Sequence, residues 1–116
     1  MFHAGKHLIL DCITHDHEYL IDHEKVENIL TVILNEIGAT ILHTKFHSFG
    51  LNLGYTGLFL LSESHLSIHT WPEKDFFSMD IYTCGDVDPT KALDMLKKHI
   101  NLSHYNYRFL KREIQT

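Results

Sequence analysis

The sequence predicts an α+β fold, in which two helices pack on one face of a mainly antiparallel sheet as a two-layer αβ sandwich. Several short segments alternate apolar and polar residues, as strands do, and two longer segments repeat apolar residues three and four positions apart. Their order is β-α-β-β-β-β-α-β, with short turns between them. Two helices cover only one face of such a sheet, so we expect the other face to hold a site or a second copy of the chain.

The first half of the chain begins with a predicted strand over residues 6–13, where apolar and polar side chains alternate. A helix is predicted from Asp22, a good N-cap, to about Ile37, and Gly38 suits its C-terminal end. Its apolar residues form a single stripe, which predicts that one face is buried. Residues 40–46 are β-branched and apolar enough to form the second strand.

The second half contains four more predicted strands and one helix. Residues 55–61 are almost continuously apolar, which predicts a central strand. Residues 66–70 and 76–83 alternate, and the alternation places His65, Ser67 and His69 on one face. The last elements are a helix that starts at Asp88-Pro89 and a closing strand over residues 104–111.

Composition limits the function classes. A chain of 116 residues is most simply one domain, residues 1–116. A net charge of -5 with few clustered Lys and Arg residues argues against nucleic-acid binding. No apolar run approaches the ~20 residues that a membrane span requires. The two cysteines, Cys12 and Cys84, form no disulfide framework, so we predict a cytoplasmic protein.

Residues 61–73 concentrate the candidate chemistry, with Ser64 as a possible nucleophile and His69 as a possible base. A serine and a histidine in this arrangement are common on strands, so alone they identify no reaction. The spacing of His65 and His69 is strand-like, and we predict no metal site. Residues 15–18 look able to bind a metal but are better explained as an exposed polar turn. Cys84 is, on position alone, better explained as a buried structural cysteine than as a reactive thiol.

Several separated motifs together resemble one family. The sequence is similar to the S-adenosylmethionine decarboxylase proenzymes, in their small bacterial and archaeal form, over about residues 5–100. The motifs that carry the resemblance are Lys6-His7, Gly38-Ala39-Thr40, Phe46-His47-x-Phe49, Gly54-x-Thr56-Gly57, residues 61–73 (Leu-Ser-Glu-Ser-His-Leu-Ser-Ile-His-Thr-Trp-Pro-Glu), Tyr82-Thr83-Cys84-Gly85-Asp86 and Asp88-Pro89.

The resemblance implies that the chain is a zymogen that cuts its own Glu63–Ser64 bond, which leaves residues 1–63 and 64–116. It implies that the Ser64 hydroxyl attacks the Glu63 carbonyl to give an ester. Elimination and hydrolysis then convert Ser64 into a covalent pyruvoyl group, so the cofactor is pyruvate made from the chain itself. A ketone of this kind forms a Schiff base with an amino acid and accepts the electrons that decarboxylation releases.

The resemblance also assigns roles to other residues. His69 takes the α-proton during self-cleavage, and Thr56 supplies a hydroxyl where the family often has serine. Cys84 donates the proton that completes decarboxylation. Phe49 stacks on the adenine of S-adenosylmethionine, and Glu73 binds its ribose hydroxyls.

The implied activity is decarboxylation of S-adenosylmethionine, which supplies the aminopropyl donor for spermidine synthesis. Two alternatives stay open. The first is a pyruvoyl-dependent decarboxylase of arginine or ornithine, because residues 47–54 lack a proline common in relatives and are one residue longer. The second is a non-catalytic regulatory relative with the same fold. We expect a homodimer of processed protomers, with the two sheets inside an αββα arrangement.

Overall fold

The computed structural model describes residues 2–114 and confirms the predicted α+β class. Its elements, in chain order, are β1 (Phe2–Ile13), α1 (Glu18–Ile21), α2 (His23–Glu36), β2 (Ile41–Ser48), β3 (Tyr55–Leu61), β4 (Ser64–Trp71), a 3-10 helix (Pro72–Lys74), β5 (Phe76–Thr83), α3 (Thr90–His99) and β6 (His104–Ile114). The strands form one antiparallel sheet with the order β2-β3-β4-β5-β1-β6. Within residues 2–114, no helix has the length and apolar character needed to cross a bilayer.

The order of the predicted elements is confirmed, and the main differences lie at their ends. Four strands are longer than predicted, because backbone pairing continues past the residues with clear alternation: β1 begins at Phe2, β2 runs to Ser48, β4 begins at Ser64 and β6 runs to Ile114. The structure also adds the one-turn helix α1, which overlaps the end of the polar turn predicted for residues 15–18. That helix buries Leu20 completely, which a polar turn of this length would not do.

Both longer helices have the predicted buried stripes. The predicted cap of α2 is confirmed, whereas α3 begins at Thr90, just after the predicted Asp88-Pro89 start. The Asp22 carboxylate accepts a hydrogen bond from the Lys25 backbone N–H at the start of α2. Gly38 follows the helix with a φ of +88°, a conformation that glycine adopts readily. At the start of α3, the Asp88 carboxylate accepts from the backbone N–H of Thr90 at 3.0 Å. The buried residues of the stripes are Val26, Leu30, Ile33, Leu34, Leu93, Leu96 and Ile100.

The two faces of the sheet differ sharply. In β4 and β5, fully buried residues that face the helices alternate with partly exposed residues. We call the side of the sheet that faces away from the helices the open face. It includes the side chains of His7, Leu58, His65, Ser67 and Asp80. The β3 strand lies second from one edge and leaves Leu58 46% exposed, which its predicted central position does not explain. An apolar side chain exposed on a sheet face indicates that something else covers that face.

Loss of the Asp88 cap should cost stability in a pH-dependent way. Hydrogen bonds from the Thr90 hydroxyl, and then from its backbone N–H, lower the pKa of the Asp88 carboxyl despite partial burial. Its stabilising effect is therefore present above the unfolded pKa of ~3.9 and is lost as the pH falls through the lower folded value. Asp88→Ala should reduce the free energy of unfolding by about 0.5–2 kcal/mol at neutral pH.

Urea unfolding at neutral and acidic pH measures this effect, in a Ser64→Ala background that keeps the chain in one piece. Asp88→Asn is the matched control, since asparagine caps a helix but does not titrate. The Ala variant should approach the parent protein only below about pH 4. An equal loss at every pH would contradict the role of the carboxylate.

Candidate active site

The turn between β3 and β4 holds its residues in a strained conformation. Ser64 has a φ of +140°, which residues other than glycine rarely adopt and which costs about 1–3 kcal/mol. Two hydrogen bonds fasten the turn to the residue before β2: the Ser62 N–H donates to the Thr40 carbonyl at 2.9 Å, and the Thr40 N–H donates to Glu63 Oε1 at 2.9 Å. Contacts made by the two residues before Ser64 thus hold it in this strained conformation.

The Glu63 carbonyl is also held from β5. The backbone N–H of Cys84 donates a hydrogen bond to the Glu63 carbonyl oxygen at 2.9 Å. A donor in this position stabilises negative charge that develops on the oxygen when a nucleophile attacks the carbonyl carbon. Glu63, Ser64 and Cys84 therefore lie together, and we call them the cleavage group.

The two cysteines lie in opposite environments. Burial raises the pKa of Cys12 to about 12, with a further contribution from the negative charge of Asp11, so this thiol is inert near neutral pH. Cys84 is exposed and not buried, so the prediction of a structural cysteine was wrong. The reason is that β5 ends one residue earlier, at Thr83, and neither helix covers the following residue. Cys84 is thus the cysteine able to react with small molecules.

Four other predicted site residues, which we call the pocket group, lie around one cavity at the far end of β3 and β4. The cavity measures about 370 Å³, and its lining includes Phe49, Thr56, His69 and Glu73. Thr56 Oγ1 lies 3.2 Å from His69 Nδ1, across a directly paired position of the two strands. Trp71 also lines this cavity, and its ring centroid lies 6.4 Å from that of His69. Sequence analysis missed Trp71, although alternation from His69 places it on the same face.

The turn that carries Glu73 is supported by the histidine-containing segment after β1. The Thr14 N–H donates to the Asp75 carbonyl at 2.9 Å, and His17 Nε2 lies 3.2 Å from the Pro72 carbonyl oxygen. The exposed turn that sequence analysis considered for metal binding thus contacts the backbone around Glu73. These contacts hold the backbone on either side of Glu73.

A single protomer does not bring the two groups together. Ser64 and His69 lie five residues apart on the same strand, β4. At ~3.3 Å per residue, this separation is about 16 Å, and a strand cannot fold back on itself to close it. The structure therefore places the predicted residues in two groups at opposite ends of β4.

The open face between the two groups carries a polar cluster that sequence analysis missed. Asp80 Oδ2 lies 2.6 Å from His7 Nε2 and 3.3 Å from His65 Nε2, while Asp80 Oδ1 accepts from the Ser67 hydroxyl. Burial alone would raise the pKa of Asp80, but the hydrogen bonds from Ser67, His7 and His65 outweigh it and lower the pKa. An acidic residue in the middle of a strand, opposite a serine, was the signal available in the sequence.

Known proteins resemble this chain in sequence and in fold. The profile of the S-adenosylmethionine decarboxylase family matches residues 6–113. The S-adenosylmethionine decarboxylase proenzyme of Pelotomaculum thermopropionicum is 39% identical over 98% of this chain and 90% of its own length. That of Thermosipho africanus is 44% identical over 81% of this chain and 72% of its own length. The crystal structure of the adenosylmethionine decarboxylase from Aquifex aeolicus matches with a TM-score of 0.85 at 29% identity, over 100% of this chain and 96% of that chain.

The difference between the two cysteines predicts selective labelling. Iodoacetamide should modify Cys84 in the native protein, because that thiol is exposed. Cys12 should stay unmodified until the protein is unfolded in guanidinium chloride, because its burial keeps it protonated. Mass spectrometry of proteolytic peptides measures both. Cys84→Ser is the control and should show no native label, whereas native labelling of Cys12 would contradict the structure.

Proposed function

This chain belongs to the S-adenosylmethionine decarboxylase family, and we propose that it decarboxylates S-adenosylmethionine after cutting its own Glu63–Ser64 bond. The observation that carries the proposal is the geometry of that bond: a strained Ser64 follows a Glu63 carbonyl that already accepts a hydrogen bond from Cys84. The product supplies an aminopropyl donor for spermidine synthesis.

The first step is a transfer of the Glu63 acyl group from nitrogen to oxygen. The Ser64 hydroxyl attacks the Glu63 carbonyl carbon, the C–N bond breaks, and an ester with a free Ser64 amine results. The Cys84 N–H stabilises the oxyanion that forms on the way, and one such donor is worth about 10²–10³-fold in rate. Relief of the positive φ at Ser64 favours the same direction, because the strained peptide bond no longer exists.

The second step removes the α-proton of Ser64. The bond between Cβ and Oγ breaks, and Glu63 leaves as a carboxylate that ends the fragment 1–63. Water then hydrolyses the remaining enamine and releases ammonia, which leaves a ketone at residue 64 without any external oxidant. His69 takes the proton in this scheme: when its Nδ1–H donates to Thr56 Oγ1, its Nε2 is free to accept one.

The residues around Ser64 fit a pyruvoyl group made in this way. The group supplies an electrophilic ketone that binds the substrate amine and accepts the electron pair left by carbon dioxide. Cys84 follows Thr83, the strand partner of Ser64, and its thiol is exposed, which supports a role for it as the proton donor to the substrate Cα. A reducing compartment keeps that thiol free, which supports the cytoplasm as the proposed location.

We infer that a second copy of the chain completes the site. His69 lies about 16 Å along β4 from Ser64, too far to remove its proton. When two open faces pack around a twofold axis that reverses the direction of β4, the His69 of each copy lies near the Ser64 of the other. The exposed apolar side chains of Leu58 and Leu60 on the open face support this packing, since it removes them from water.

The pocket group supports S-adenosylmethionine as the substrate. A nucleoside needs an aromatic surface for its base and an acceptor for its ribose hydroxyls, and the cavity presents Phe49 and Glu73. Arginine and ornithine have neither group to fill it. The relatives that match the chain are named as S-adenosylmethionine decarboxylases, which also favours this substrate over the alternatives.

Co-expression of two inactive variants tests the shared site. Ser64→Ala has no nucleophile, and His69→Ala has no base for elimination, so each alone should yield no pyruvoyl fragment. Expressed together with different affinity tags, they form mixed dimers in which an intact His69 faces the Ser64 of the His69→Ala chain. That chain, and not the Ser64→Ala chain, should be cut between residues 63 and 64, as gel electrophoresis and mass spectrometry of each tagged chain can measure.

Controls separate the two parts of this proposal. Wild type co-expressed with Ser64→Ala should be cut only in its own chain. If wild type stays as one chain after prolonged incubation, the self-cleavage proposal fails. If wild type is cut but the mixed variants are not, His69 acts within its own protomer and the shared site is wrong.

Substrate recognition should depend on Phe49. Loss of a base–aromatic stacking contact costs ~1–3 kcal/mol, so Phe49→Ala should raise the KM for S-adenosylmethionine about 5- to 150-fold. Released carbon dioxide measures turnover with S-adenosylmethionine, arginine and ornithine in parallel. Tyr107→Ala removes another exposed aromatic ring on a distant strand and should leave KM unchanged. An unchanged KM in Phe49→Ala, or turnover of only arginine or ornithine, would contradict the substrate assignment.

A further inference from the structure

Asp80 joins two strands of the open face through its side chain. It lies on β5 and accepts hydrogen bonds from His7 on β1 and from two residues of β4, His65 and Ser67. The Asp80 side chain is 23% exposed and that of His7 is 13% exposed, so the contact between these two is largely shielded from water. Charge-assisted hydrogen bonds in such surroundings are roughly twice as strong as those between neutral groups.

The hydrogen-bond partners of His7 indicate which of its ring nitrogens carries the proton. Arg112 Nη1 donates to His7 Nδ1 at 3.1 Å, and the Arg112 guanidinium also stacks on Tyr82. An Nδ1 that accepts from arginine places the single proton of neutral His7 on Nε2, which donates it to Asp80. The ligand atoms of His7, His65 and Asp80 lie within 4.8 Å of one another, close enough to hold a metal ion. However, a metal ion would need the Nε2 lone pair that the proton occupies, so the geometry favours hydrogen bonding.

The two residues of β4 that contact Asp80 follow the proposed cleavage site closely in sequence. His65 and Ser67 are the first and third residues after Ser64, and both are held by one carboxylate on β5. The strand pairing places Ser64 opposite Thr83, which immediately precedes Cys84. Asp80 thus fixes the alignment between the strand that begins with residue 64 and the strand that leads to the thiol.

Self-cleavage changes what holds residue 64. In the intact chain, Ser64 is bonded to Glu63, which in turn is held by Thr40 and Cys84. The cut removes that covalent bond, and conversion to a ketone removes the backbone N–H of residue 64. After the cut, the new chain end is held by the backbone pairing of β4 and by the side-chain contacts to Asp80.

We propose that Asp80 is a positioning residue that keeps the chain end created by self-cleavage aligned with the Cys84 thiol. This inference rests on the proposed function. It separates two activities of the protein. In self-cleavage, Glu63 and its contacts hold the Glu63–Ser64 bond. In decarboxylation, the new chain end at residue 64 must be held by the contacts between β4 and Asp80.

Asp80→Asn tests this role with little change in size. Its amide oxygen still accepts from Ser67, but its NH₂ group faces the N–H groups of His7 and His65 and cannot accept from them. Self-cleavage should go to completion. The kcat for S-adenosylmethionine should fall by about 10- to 100-fold, as expected for a displacement of roughly 1 Å between reacting groups. KM should stay within about twofold, because the pocket group lies at the other end of β4.

A second measurement does not depend on the rate. When the proton reaches the carbon of residue 64 instead of the substrate Cα, hydrolysis releases an aldehyde and leaves the substrate nitrogen on residue 64 as alanine. Misalignment with Cys84 should make this outcome more frequent. The intact mass of the fragment 64–116 after a fixed number of turnovers should therefore show several times more alanine in Asp80→Asn than in wild type.

Matched variants complete the experiment. Ser67→Ala and His65→Gln each remove one contact to Asp80 and should change kcat and alanine formation in the same direction, but less. Asp94→Asn makes the same charge change on the exposed side of α3 and should match wild type in both. Sedimentation should show the same oligomeric state for wild type and Asp80→Asn.

Four results would overturn the inference. The first three concern Asp80→Asn: the chain stays uncut, it is cut but matches wild type in kcat and alanine content, or its oligomer dissociates. The fourth is a Tm that zinc chloride raises in wild type but not in Asp80→Asn. The third would mean that Asp80 is needed to hold the two copies together, and the fourth would make the cluster a metal site. Failure of the proposed function is distinguishable from all of these, because wild type itself would then stay uncut.

Discussion

The structure depends most on the stiffness of one strand. β4 begins with Ser64 and carries His69 near its other end, and an extended strand holds residues five positions apart at about 16 Å. Chemistry that needs both residues cannot take place within one copy of the chain. The half-exposed leucines on the open face, and the position of the described helices on the other face, agree with the proposed arrangement, in which a second copy would supply what the first lacks.

In the proposed reaction, strain and support act in sequence around the Glu63–Ser64 bond. Before the cut, Thr40 and Cys84 hold Glu63 while Ser64 has a positive φ, so the peptide bond is both strained and fixed. The strain is released with the bond, and it is not available to hold the product. The contacts from Asp80 to β4 do not involve Glu63 and survive the cut. The proposed self-cleavage, which would turn part of the backbone into a reactive group, would need both kinds of contact.

Much of this arrangement could be predicted from the sequence where the signal is local. The Asp22 cap, the stripe of α2 and the alternation of β5 depend on neighbouring residues, and all are confirmed. The cluster at Asp80 could not be predicted, because His7 lies 73 residues away and meets it only through strand pairing. The exposure of Cys84 was predicted wrongly for a related reason: burial at a strand end depends on what packs over it. The resemblance to a family supplied roles for individual residues but no distances between them.

Native mass spectrometry of the purified wild-type protein tests the central claim most directly, namely that two copies cut themselves and share their sites. The account predicts one assembly with two copies each of the fragments 1–63 and 64–116. Each fragment 64–116 should be lighter, by the mass of one ammonia, than the same fragment with a free Ser64. A monomer of the intact 116-residue chain, or a cut chain that still begins with an unmodified serine, would contradict it.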